Sequence, residues 1–89
     1  MPKILIIEDE AAIRRVLTKI ISEENDTYSV EQAEDGLQGI EMIKDNDYDL
    51  VLCDIKMPKM DGVEVLEKAK KIKPEIPIVM ISGHGDLDT

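Results

Sequence analysis

Ile4 to Ile7 form an unbroken apolar run that stops at Glu8-Asp9-Glu10. A short β-branched run with a charged stop predicts a strand buried on both faces. Ile13, Val16, Leu17, Ile20 and Ile21 follow at i, i+3, i+4, i+7 and i+8, the stripe of an amphipathic helix. Acidic residues stand at its start, where the helix dipole favours them, and Glu24-Asn25-Asp26 closes it. Tyr28 to Ala33 alternates and predicts a second, less buried strand. Asp35 and Gln38 have capping-box spacing, and Leu37, Ile40, Met42 and Ile43 supply the stripe of a second helix, ending near Asp45-Asn46-Asp47. Leu50 to Cys53 is a third apolar run, ended by Asp54. After an irregular connection through Pro58, Asp61 and Glu64 repeat the capping spacing. Val65, Leu66, Ala69 and Ile72 then predict a third helix, closed by Pro74 and Pro77. Ile78 to Ile81 predicts a fourth strand, and Ser82-Gly83-His84-Gly85 opens a loop.

The order βαβαβαβ with short links calls for an α/β fold, a doubly wound parallel sheet with right-handed crossovers. Eighty-nine residues allow one domain, spanning 1–89. A formal net charge of -9 argues against direct contact with nucleic acid, and 2% aromatic residues leave no platform for stacking bases. The N-terminal apolar run is too short for a signal-peptide core or a membrane span, so the chain is expected to be cytoplasmic. Cys53 is the single cysteine and stands in an apolar run, which excludes an internal disulfide and reads as a small core hydrophobe.

In a doubly wound sheet, ligands bind beyond the carboxyl ends of the strands. Three predicted strand ends carry oxygen groups: Glu8 and Asp9 after the first, Asp54 after the third, Ser82 after the fourth. Each directly follows an apolar run, so the group is expected to converge on one edge. Two carboxylates about 4 Å apart repel by about 4 kcal/mol at an effective dielectric of 20. Such a cluster keeps a proton or takes a cation. All-oxygen donors without His or Cys select a hard ion, Mg²⁺ or Mn²⁺, and an open Mg²⁺ site suits phosphoryl transfer. Glu10, Asp35 and Asp61 are read instead as helix caps.

Asp54-Ile55-Lys56-Met57-Pro58-Lys59-Met60-Asp61-Gly62 resembles the segment around the phosphoacceptor of response-regulator receiver domains. With Glu8-Asp9 after the first strand and Ser82 after the fourth, three separated motifs match in order, and the likeness spans the chain. The ending Ile81-Ser82-Gly83-His84-Gly85 is similar to receivers of the nitrogen-regulation type, often attached to sigma-54-dependent activators. The resemblance implies a flavodoxin-like sheet of order 2-1-3-4, with Asp54 accepting a phosphoryl group from a sensor histidine kinase. It implies that Asp9 and Asp54 bind Mg²⁺, Glu8 through a water, with the Lys56 backbone carbonyl completing the protein ligands. Glu8 stands where the family commonly has an aspartate, and its longer carboxylate still reaches a metal-bound water. Ser82 would hydrogen-bond the phosphoryl oxygen as a switch, while Lys56 and His84 would tune phosphoryl lifetime.

The family pattern continues with a helix, a fifth strand ending in a phosphoryl-pairing lysine, and a last helix. The chain is therefore expected to be the N-terminal three-quarters of a receiver, its output domain elsewhere. Lys56, Lys59, Lys68 and Lys71 do not stand at the equivalent of that lysine, so phosphoryl acceptance is expected to be impaired. An exposed Ile78–Ile81 edge and an uncovered helix face would favour self-association. Two other readings compete. One is a phosphorylation-independent protein-binding or oligomerisation module. The other is an Mg²⁺-dependent aspartyl phosphohydrolase, set back because haloacid dehalogenases place a second aspartate where Lys56 stands. A stand-alone enzyme is not expected.

Overall fold

The structure, a computed structural model, describes residues 2–81. Four parallel strands alternate with three helices: β1 (Lys3–Ile7), α1 (Ala11–Glu24), β2 (Ser29–Ala33), α2 (Gly36–Asp45), β3 (Leu50–Asp54), α3 (Gly62–Ile72) and β4 (Ile78–Ile81). The strand order is β2-β1-β3-β4, the flavodoxin-like arrangement expected from the sequence. β1 is central, with Ile4 to Ile7 all buried, which is why it reads as a continuous apolar run. β2 lies at one edge and only Ala33 in it is buried. β4 is the other edge among the described residues, with Val79 47% exposed.

Alternation along the strands sorts the core into two faces. Leu5 and Ile7 of β1 and Val51 and Cys53 of β3 pack with Ile40 and Ile43 of α2 and Val65 and Ala69 of α3. Ile4 and Ile6 point the other way, toward the side that α1 covers. Cys53 is fully buried in the first face, as a small hydrophobe, and burial pushes its thiol pKa up to about 12.

All three helix stripes depart from the sequence expectation, in α3 at its last residue, Ile72, which is exposed. Leu37 is 60% exposed, and α2 instead turns Gly36, Gly39, Ile40 and Ile43 inward. A Cβ on Gly39 would stand 2.5 Å from Ile7 Cδ1, so close approach of helix to strand displaces the leucine from the stripe. In α1 no residue is buried, and Val16 and Ile20 are 56% and 52% exposed. Asp35 and Asp61 cap their helices as expected, accepting from the Gln38 N–H (2.8 Å) and the Glu64 N–H (3.0 Å). Glu10 does not. It occupies the N-cap of α1 without a side-chain cap bond, the first turn holds no acidic residue, and the Glu10 N–H donates to Glu8 Oε2 (3.0 Å).

Candidate functional site

The register of the sheet builds the site. β1 and β3 pair Ile7 with Cys53, so the next residues, Glu8 and Asp54, leave the two strands side by side. By parity both continue the rows that face α1, while Cys53 stays with the α2/α3 core. β3 and β4 pair Asp54 with Ile81, which puts the end of β4 on the same edge. Glu8 and Asp54 are fully buried and Asp9 is half-buried. Carboxylate oxygens of Glu8, Asp9 and Asp54 all lie within 4.8 Å of one another.

The electrostatics follow from that crowding. Burial pushes the Glu8 pKa up to about 7. The Glu10 N–H opposes this rise, and the proximity of Asp9 and Asp54 adds to it. Glu8 Oε1 and Asp9 Oδ1 are buried without a hydrogen-bond partner among the described residues. Orphaned carboxylate oxygens in a tight all-oxygen set fit a small hard cation such as Mg²⁺, with Glu8, Asp9 and Asp54 as the side chains that would hold it.

The segment from Ile55 to Asp61 leads from this edge into α3. Met57 is buried in the α2/α3 core and anchors the loop beside exposed Pro58. The Met60 N–H donates to the Pro58 carbonyl (2.8 Å) across Lys59, whose φ of 69° is unusual for a residue other than glycine. The Gly62 N–H donates to the Ile55 carbonyl (2.8 Å). A Cβ on Gly62 would stand 2.3 Å from the Asp54 carbonyl oxygen, so only glycine lets α3 start against the end of β3. Lys56 is exposed in this loop, close in sequence to Asp54. Ser82 and His84 lie outside the described residues.

One contributor was not visible in the sequence. Arg14, on the first turn of α1, donates from Nη1 to the Glu8 carbonyl oxygen (2.7 Å) and from Nε to Gln32 Oε1 of β2 (3.1 Å). Its position beside Ile13 in an amphipathic pattern reads as an ordinary solvated charge. Only the pairing of β1 with β2 brings Gln32 within its reach.

A hollow of about 470 Å³ opens at the opposite end of the strands, between Tyr48, Lys73 and Ile76. It is remote from the carboxylate cluster.

Comparison with known proteins agrees with this fold. The profile of the response regulator receiver domain matches residues 4–89. The chain is 38% identical over 86 residues to sporulation initiation phosphotransferase F of Bacillus subtilis, covering 97% of this chain and 68% of that protein. It is 46% identical over 81 residues to a protein-glutamate methylesterase/protein-glutamine glutaminase of Methylobacillus flagellatus, covering 91% of this chain but only 22% of that one. Among solved structures, the response regulator TrrA of Thermotoga maritima, in complex with Mg²⁺ and BeF, superimposes with a TM-score of 0.88 at 32% identity, over 97% of this chain and 73% of that one. A receiver domain protein from Methanospirillum hungatei gives 0.86 at 37%, over 98% and 68%. The shared segment, the strand order and the matched motifs place this chain in the response regulator receiver domain family of two-component systems.

Proposed function

We propose that the chain is a phosphoacceptor module that takes a phosphoryl group from a sensor histidine kinase onto Asp54 with Mg²⁺ bound. The observation that carries this reading is the fully buried Asp54 carboxylate clustered with Glu8 and Asp9 at the carboxyl edge of the sheet. An Asp54 oxygen forms the new P–O bond as the P–N bond to the kinase imidazole breaks, and the departing imidazole nitrogen takes a proton from solvent. Mg²⁺, or Mn²⁺ in its place, supplies positive charge to the phosphoryl oxygens. Asp9 and Asp54 would hold the ion directly and Glu8 through a water, and the Lys56 backbone carbonyl would complete the protein ligands. Ser82 donates its hydroxyl to a phosphoryl oxygen, and Lys56 and His84 set how long the acyl phosphate lasts.

The kinase partner implies action in the cytoplasm. No helix among the described residues is long and apolar enough to cross a membrane. The output belongs to other sequence, since the relatives include proteins of which this chain matches about a fifth. On this reading the chain catalyses its own phosphorylation and dephosphorylation and is not a stand-alone enzyme.

The test is incubation with Mg²⁺ and acetyl phosphate followed by intact mass. A phosphoryl adduct that disappears in Asp54→Ala supports the proposal. Release of phosphate from added phosphoesters with turnover points to a phosphohydrolase, and neither adduct nor turnover points to a phosphorylation-independent binding module. A specific observation favours self-association beside phosphoryl acceptance. Val16, Ile20 and Val79 leave an apolar surface on the α1 side and at the β4 edge, which suits self-association. Sedimentation velocity should show a species larger than the monomer, reduced by the V16K/I20K double variant. A concentration-independent monomer rejects it.

A further inference from the structure

Arg14 makes contacts that an ordinary surface arginine does not need. It is half-buried, with Nη1 on the Glu8 carbonyl oxygen and Nε on Gln32 Oε1. Gln32 Nε2 donates in turn to Thr18 Oγ1 (3.1 Å), one turn further along α1. The Glu8 N–H donates to the Ala33 carbonyl of β2 (3.2 Å). Both ends of Glu8 are therefore tied, the amide to β2 and the carbonyl to Arg14. That carbonyl belongs to the planar peptide joining Glu8 to Asp9. Holding it restrains ψ of Glu8 and φ of Asp9, and with them the directions in which both side chains leave the backbone.

We propose that Arg14 is a positioning residue for the carboxylate site, its guanidinium fork clamping the Glu8–Asp9 peptide between α1 and β2 so that the Glu8 and Asp9 oxygens stand ready for a divalent cation. The proposal rests on the reading of the cluster as an Mg²⁺ site. Charge and geometry make opposite predictions. As a nearby positive charge alone, Arg14 repels a divalent ion, and its removal would tighten binding. As a clamp it organises the ligands, and its removal weakens binding. Lysine keeps the charge but, as a single point donor, cannot span the Glu8 carbonyl and Gln32 together.

The experiment measures Mg²⁺ affinity by calorimetry on the full chain for wild type, Arg14→Lys and Arg14→Met, with amide hydrogen exchange followed by NMR in metal-free protein. Both variants should bind Mg²⁺ about 10-fold more weakly, the lower end of what loss of a ligand-orienting partner costs. Exchange should quicken at Asp9 and Glu10, while amides of β3 and α3 keep their wild-type rates. Unchanged affinity in Arg14→Lys with tighter binding in Arg14→Met overturns the clamp in favour of charge alone. Unchanged affinity with uniformly faster exchange overturns it in favour of a general stabilising role. If the wild-type chain takes up no Mg²⁺, the metal reading falls, and the exchange rates at Asp9 and Glu10 still decide whether Arg14 holds the turn.

Discussion

The two faces of the sheet are built from the same kinds of residue and end in different states. On one, α2 and α3 pack against each other and seal Leu5, Ile7, Val51 and Cys53 beneath Ile40, Ile43, Val65 and Ala69. On the other, α1 lies on β1 and β2, buries none of its own residues completely, and leaves Val16 and Ile20 more than half exposed. The sealed face supplies stability. The open face carries the chemistry, because Glu8 and Asp54 continue its strand rows and Arg14 reaches Glu8 from its helix. Both carboxylates are nonetheless fully buried, and the desolvation cost shows in the raised pKa of Glu8.

Equal substitutions on the two faces should break this symmetry most visibly. Ile43→Ala removes a fully buried side chain from the sealed face and should cost about 2–5 kcal/mol in denaturant unfolding. Ile20→Ala should stay within about 0.5 kcal/mol of wild type, since partial loss of contact is offset by the better helix propensity of alanine. Comparable losses at the two positions would show that α1 is packed as tightly as α2.

Next in size is Gly62→Ala. Its Cβ would collide with the Asp54 carbonyl, so α3 must shift away from the end of β3, at about 1–3 kcal/mol. The same shift moves the loop beside Asp54, so Mg²⁺ affinity should fall with stability. A variant of wild-type stability would mean that the sealed face yields at this point.

Glu8 gives a pH-dependent signature of the open face. Its pKa is raised from 4.5 to about 7, chiefly by burial, so the native state holds a proton that the unfolded chain releases. Metal-free stability should therefore fall as pH rises from about 4.5 through about 7. Glu8→Gln should flatten that slope in thermal melts at several pH values. Mg²⁺ should oppose the loss, binding more tightly as the proton leaves. The smallest effect belongs to Leu37→Lys, on the solvent side of α2, expected within about 0.5 kcal/mol of wild type.

Much of this arrangement was legible in the chain. The apolar runs at Ile4–Ile7 and Leu50–Cys53 mark strands because a strand covered on both faces has no polar alternation to hide it. The acids that end those runs mark the edge for the same reason. Asp35 and Asp61 announced their caps through local spacing. Other expectations failed where a contact is distant in sequence. Leu37 fits a helical stripe, but the contact of Gly39 with Ile7 rotates α2 toward its glycine side. Glu10 fails locally instead: it holds the N-cap position, but its side chain makes no cap bond and its N–H donates to the Glu8 carboxylate two residues back.

The sequence by itself determined the order of elements, the parallel α/β class and the identity of the three carboxylates, because periodicity, strand ends and motif spacing are local properties. Only the tertiary structure decided that Glu8 and Asp54 adjoin through the β1–β3 register, that burial raises the pKa of Glu8, and that Arg14 reaches the Glu8 carbonyl. Those are decided by which strands pair and which faces are covered, and neither is a property of any short stretch of chain.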